Sequence, residues 1–107
     1  ILKSYKSKRK VFGKVVFVEI KSKYPLNSTI ASILANKIKD KIIIISQKAG
    51  NKYRISLRGK LLDLNKLVRD LSKDLNAVAG GHKEAAGMRI RGKKDYEKFL
   101  ERIKSVF

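Results

Sequence analysis

The chain has no cysteine and no tryptophan, one histidine, one proline and one methionine, and 9 acidic residues against 27 lysines and arginines. Each scarcity removes a class of explanation. Without cysteine there is no disulfide framework and no thiolate metal site, which is compatible with a reducing compartment, and a cytoplasmic location is expected. A single histidine, His82, excludes a multi-histidine metal centre. The longest apolar run, Ile42 to Ile45, is far too short to span a bilayer, and no signal-peptide pattern is visible. A membrane-surface role for the lysines is disfavoured, because the helices need their apolar faces for a core. Aromatics are few, and Tyr5, Tyr24 and Tyr53 are the candidates for stacking on a base, with Tyr53 better suited to the core.

The shortage of acids leaves a formal charge of +18. That charge costs self-repulsion, and solubility alone does not explain it. Lysine-rich thermophile proteins balance lysine with glutamate in ion-pair networks, and that balance is missing here. A polyanionic partner is the first expectation. The chain starts at Ile1, so a piece cut from a longer protein is also allowed for.

A length of 107 residues is one domain, and the 43 % hydrophobic content comes in periodic blocks, so the chain should fold. Residues 1–10, ILKSYKSKRK, carry a basic cluster without apolar period and read as an N-terminal arm or linker, leaving 11–107 as the domain. Val11 to Ile20, rich in β-branched and aromatic residues, reads as a strand, broken afterwards by Pro25 and Asn27. Asn27 or Ser28 can cap a helix with Ile30, Ile33, Leu34 and Ile38 on one face. The run Lys41 to Ser46 reads as a central strand covered on both faces. A turn at Ala49-Gly50-Asn51 leads into Lys52 to Arg58, where Tyr53, Ile55 and Leu57 alternate with Arg54, Ser56 and Arg58, so a hairpin is expected. Asp63 can cap a second helix with Leu64, Leu67, Val68, Leu71 and Leu75 on one face. Met88 to Arg91 reads as a short strand. A third helix starts near Lys93 to Asp95 and aligns Tyr96, Phe99, Leu100, Ile103 and Phe107. The expected class is α/β, a mixed β-sheet with packed helices in the order β-α-β-β-α-β-α.

Between the second helix and the last strand lies VAGGHKEAAGMRI, residues 78–90. Gly80 and Gly81 permit backbone angles that a Cβ resists and leave amides open to a ligand. A helical turn at His82 to Ala86 would offer its first amides to an anion, with Ala85, Ala86 and Gly87 packing closely on the sheet. On the strand before the second helix, alternation puts Ser56 and Arg58 on one face, opposite Ile55 and Leu57. A guanidinium beside a hydroxyl suits phosphate oxygens. Alone, the glycines and histidine read as a plain loop, and the Ser56 and Arg58 pair as an exposed strand face.

A strand ending in Ser-x-Arg, a helix, then Gly-Gly-His-x-x-Ala-Ala-Gly before a last strand and helix resembles the DHH-associated C-terminal domain (subfamily one) of the DHH phosphoesterases. That group includes RecJ-like single-strand exonucleases and oligoribonuclease enzymes. The matching residues are Ser56, Arg58, Gly80, Gly81, His82, Ala85, Ala86 and Gly87, and the resemblance covers most of residues 11–107. One departure is Ala79, which stands where the family usually has a further glycine, so that its Cβ would narrow the loop. The resemblance implies a substrate-binding half that grips single-stranded DNA or RNA, with a protonated His82 strengthening a phosphate contact. Catalysis and manganese would reside in a separate DHH domain; no Asp-His-His triplet occurs here, and no catalytic or metal-ligating residue is assigned.

Two other classes compete with this reading. One is a catalysis-free interaction or scaffold module of the replication, repair or tRNA machinery, since the same domain type occurs at the C-terminus of alanyl-tRNA synthetase. The other, a hydrolase in its own right, lacks the residues for a two-metal phosphodiester site.

Overall fold

The computed structural model describes residues 6–21 and 27–106. Its elements run β1 (Lys6–Phe12), β2 (Val15–Lys21), α1 (Asn27–Lys37), β3 (Ile42–Ala49), β4 (Lys52–Arg58), α2 (Leu64–Leu71), β5 (Ala77–Gly81), β6 (Ala85–Arg91) and α3 (Lys93–Val106). The six strands form one sheet in the order β1-β2-β3-β4-β6-β5. Only β2 and β3 pair in parallel, and α1 supplies the crossover that a parallel pair needs. The α/β class, the mixed sheet and the expected order of helices and strands hold, with two strands added.

The first addition comes from Gly13. Val11 to Ile20 was expected as one strand, but Gly13 takes φ 55 and turns the chain over Gly13 and Lys14, so that Phe12 faces Val15 across a hairpin. A positive φ at the first turn position suits the two-residue connections that match strand twist, and glycine adopts it without strain. Lys6 to Lys10, read as part of an arm, thereby pair with β2 along the sheet edge. The second addition is β5, discussed below. Tyr5, Tyr24, Pro25 and Phe107 lie outside the described residues.

The sheet buries both faces at its centre. Ile42 through Gln47 are buried, as a strand with helices on either side requires. On one face, Val15, Phe17, Ile42, Ile44, Ile55, Leu57, Met88 and Ile90 pack with residues of α2 and α3, among them Leu67, Val68, Phe99 and Ile103. On the other, Ile30 and Ala31 of α1 pack against Val16, Val18, Ile20, Ile43 and Ile45 of β2 and β3. The domain is thus three layers, with one helix on one side and two on the other.

Local chemistry sets the helix ends. The Asp63 carboxylate accepts the Lys66 backbone N–H at 3.2 Å and so caps α2. The leucine stripe was expected to continue the helix to Leu75, yet α2 stops at Leu71. Asp74 takes φ 63 and redirects the chain, and Leu75 still packs against the core from outside the helix. At the far end, Ser46 and Tyr96 share a buried 2.7 Å hydrogen bond that ties β3 to α3.

Candidate nucleic-acid interface

Residues 77–91 are a β-hairpin, and this corrects the loop and helical turn expected there. β5 and β6 pair antiparallel from Ala77↔Ile90 to Gly81↔Ala86, and the His82 N–H donates to the Ala85 carbonyl at 2.7 Å to close the turn. Small residues and two glycines give no strand signal of their own. Strand pairing with β6, which is itself longer than the expected Met88 to Arg91, supplies the hydrogen bonds. The tip is pinned from outside: Gly59 N–H donates to Glu84 O at 3.1 Å, and Leu64 N–H to Lys83 O at 2.8 Å.

The strand register decides which of the candidate residues meet. Gly80 faces Gly87, and Gly87 faces Ser56. One step along the strands, Val78 faces Arg89 and Arg89 faces Arg54; one step the other way, Ala85 faces Arg58. Because Ile55, Leu57, Ala86 and Met88 point into the core under α2 and α3, all of these residues point to the opposite face. There α1 lies over β3 and β4, its apolar cluster extending to β2, while no residue of β5 or β6 joins that cluster. The face over β5 and β6 is left open, with β4 along its margin.

The result is a floor of small residues, Gly80, Gly87 and Ser56, flanked on one side by Arg54 and Arg89 and on the other by Arg58. Lys52 and Arg91 pair in the next row of the same face. Adjacent strands stand about 4.8 Å apart and same-face residues of one strand about 6.6 Å apart, so the cations form a two-dimensional array rather than a point. Arg58 is half-buried, and its Nη1 donates to the Leu57 carbonyl at 2.9 Å, which orients the guanidinium. His82 is exposed at the hairpin tip, beside the Ala85 and Arg58 end of the floor.

Of the eight residues singled out in the sequence, Ser56, Arg58, Gly80, Ala85 and Gly87 share this face and His82 borders it. Ala86 does not: it is 4 % exposed and packs in the core on the far side. Gly81 is structural. Its φ is 148, and a Cβ there would fall 2.5 Å from the Ala86 Cα. A Cβ on Gly80 would meet nothing within 4 Å and would stand on the open face. Ala79 also points away, its methyl packed against the core cluster, so this departure from the expected glycine leaves the face unfilled.

Arg54 and Arg89 were not singled out. Alternation with Ser56 was a signal for Arg54, but Arg89 joins it only through the β4–β6 register. Tyr53 is no stacking platform: it is 7 % exposed, and its ring lies parallel to Tyr96 at 3.9 Å. Among the described residues no three His, Cys, Asp or Glu side chains converge. No described helix is long and apolar enough to cross a membrane.

Comparison with known proteins follows the same lines. Residues 12–107 match the model of the DHHA1 domain. The C-Ala domain of Aquifex aeolicus alanyl-tRNA synthetase superposes with a TM-score of 0.74 at 15 % identity, over 92 % of this chain and 96 % of that one. A structure described as a DHH domain of a member of the s1p family of ribosomal proteins superposes with a TM-score of 0.60 at 23 % identity, covering 95 % of this chain but 28 % of that one. No curated protein matches the sequence. At these identities the two structures speak for the fold, and the family match, which spans five of the six strands and every helix, shows that the chain belongs to the DHHA1 domain family.

Proposed function

We propose that the domain binds single-stranded DNA or RNA across the open face of β4, β6 and β5, as the substrate-binding part of a RecJ-like DHH phosphoesterase whose manganese-dependent catalysis resides in a separate DHH domain. The observation that carries this is the array of Arg54, Arg58, Arg89 and Arg91 around a floor that glycine keeps free of side chains. Phosphates would lie along the arginines, and the Ser56 hydroxyl would donate one further hydrogen bond. His82, on a hairpin tip fixed by two backbone hydrogen bonds, would close one end.

No aromatic ring whose side chain is described stands on this face, so the affinity would rest on charge and fall steeply with salt. A fluorescent oligonucleotide titrated at two salt concentrations tests this, together with Arg58→Ala, Arg89→Ser and His82→Ala. Each variant should bind more weakly at an unchanged melting temperature. Binding that ignores salt and all three substitutions would refute the reading.

A second reading, an interaction module, is favoured by the likeness to the C-Ala domain and by Val78, 77 % exposed on edge strand β5. It requires an assembly or a captured partner, and a monomeric mass in solution with tight oligonucleotide binding would count against it.

A further inference from the structure

The two edges of the sheet are protected unequally. β1 carries Lys6, Lys8, Arg9 and Lys10, and charge along an edge strand discourages pairing with another chain. β5, AVAGG, has no charged residue and no proline, and residues 74–81 contain no cation although the chain carries a charge of +18. Val78 is 77 % exposed on this strand. Backbone groups also point outward along it. At the two ends of β5, the Arg91 N–H donates to the Asn76 carbonyl at 2.9 Å and the His82 N–H to the Ala85 carbonyl at 2.7 Å. Antiparallel pairs alternate between hydrogen-bonded and open, so Val78 and Gly80 bond to β6, while Ala77, Ala79 and Gly81 turn their polar groups away from it. The Leu75 carbonyl takes up the Ala77 N–H at 2.9 Å, and no described backbone group outside the sheet bonds to Ala79.

We infer that β5 pairs antiparallel with β5 of a second copy of this chain, about a two-fold axis at Ala79. In this register the strand is complementary to itself, as a contact between identical patches requires. The Ala79 N–H and C=O bond to those of Ala79 in the second copy, and the Gly81 N–H donates to the Ala77 carbonyl across the axis. Val78 falls opposite Gly80 in the open type of pair, where Cα atoms approach to about 4.5 Å. Gly80 opposes it with no side chain, and nothing lies within 4 Å of the place its Cβ would take. Charge selects this occupant: an acidic peptide finds four cations on β1, whereas the neutral β5 edge is where a second basic copy can approach. The axis stands perpendicular to the sheet, so both open faces lie on the same side. They join into one floor about 24 Å across, five strand spacings from β4 to β4, with α1 of each copy as its walls. The edge is five residues long, and stable complexes bury roughly 1,200 Å² or more, so the pairing is weak in the free protein and strengthened by a polyanion that spans both faces. The pairing rests on the interaction reading, to which it gives a partner; only the effect of the polyanion rests on the open-face reading.

Sedimentation equilibrium without nucleic acid, between about 10 μM and about 1 mM protein, tests the pairing. The average mass should rise from monomer toward dimer with concentration. It should rise further between about 0.1 and about 0.5 M salt, because the Arg89 residues of the two copies stand about 14 Å apart across three strand spacings and salt screens their repulsion. Val78→Lys should weaken self-association about tenfold at an unchanged melting temperature, since a charge on the edge opposes pairing. The chain has no cysteine, so the register can be read by cross-linking. A mixture of Val78→Cys and Gly80→Cys chains should form the mixed disulfide in preference to either symmetric one. An oligonucleotide long enough to span both faces should raise the dimer fraction, and one that fills a single face should not. A monomer in every condition, or no preference for the mixed disulfide, would overturn the pairing. A monomer that still associates with another protein through Val78 would sink the pairing and keep the interaction reading. A dimer that binds no oligonucleotide would sink the open-face reading and leave the pairing standing.

Discussion

Gly80 and Gly81 are neighbours in sequence with opposite reasons to be glycine. Gly81 holds φ 148 with the Ala86 backbone 2.5 Å from where a Cβ would be, so Gly81→Ala should destabilise the domain by about 1 to 3 kcal/mol through backbone strain and overlap. Gly80 has no such obstacle. Gly80→Val should leave stability within about 0.5 kcal/mol of the wild type, since the new side chain enters solvent. It should weaken oligonucleotide binding severalfold, because the same side chain stands between Gly87 and any ligand. Urea unfolding and fluorescence anisotropy separate the two effects. The sequence shows a pair of glycines; it does not show that one serves the backbone and the other the surface. That depends on which face each residue takes in β5, and hence on its pairing with β6.

Among the elements, α3 is held to β3 by a polar contact in an otherwise apolar interface. Tyr96 stacks on Tyr53 and shares a hydrogen bond with Ser46, which is 3 % exposed. Tyr96→Phe would leave the Ser46 hydroxyl buried without this partner, at a cost of about 1 to 3 kcal/mol. Burial pushes the Tyr96 phenol well above the usual tyrosine value, and the Ser46 hydrogen bond offsets part of that shift. An unfolded tyrosine titrates near about pH 10, so above that pH the unfolded chain gives up a proton that the folded chain retains. The contribution of Tyr96 to stability is therefore complete below about pH 10 and declines as pH rises beyond it. The gap in unfolding free energy between wild type and Tyr96→Phe should narrow between about pH 8 and about pH 11, as measured by urea denaturation. A constant gap would contradict this. The helices and the β3–β4 hairpin were legible because each carries its own period: leucines at one-face spacing for α2, aromatics for α3, alternation for β4. β1 and β5 were not. β1 is concealed by basic residues and by a turn inside an apparently continuous strand, and β5 consists of side chains too small to show any alternation.

At the scale of the whole molecule, the charge of +18 acts on folding and on binding in opposite directions. Salt screens the repulsion among cations that folding brings together, so the melting temperature should rise between about 0.05 and about 0.3 M salt. Over the same range the affinity for an oligonucleotide should fall, because counterion release drives the association. Calorimetric melting and anisotropy in the same buffers would show the two trends, and parallel trends would mean that the cations serve stability rather than a ligand. The sequence by itself determined the α/β class, the helix faces, the central buried strand and the sign of the partner's charge, because periodicity, composition and net charge are properties of the chain that survive without its contacts. It also carried the family pattern in Ser56, Arg58 and the glycine-histidine run. Only the tertiary structure decided that Arg89 stands beside Arg54 and Ser56, that Ala79 and Ala86 face the core, and that Lys39, Lys41 and Lys60 line one cavity with Arg58. Those placements follow from strand register and from the packing of α1 on the sheet, which bring together residues far apart in the chain. A one-residue slip of β5 or β6 would exchange the two faces, and no local pattern in VAGGHKEAAGMRI records which one is open.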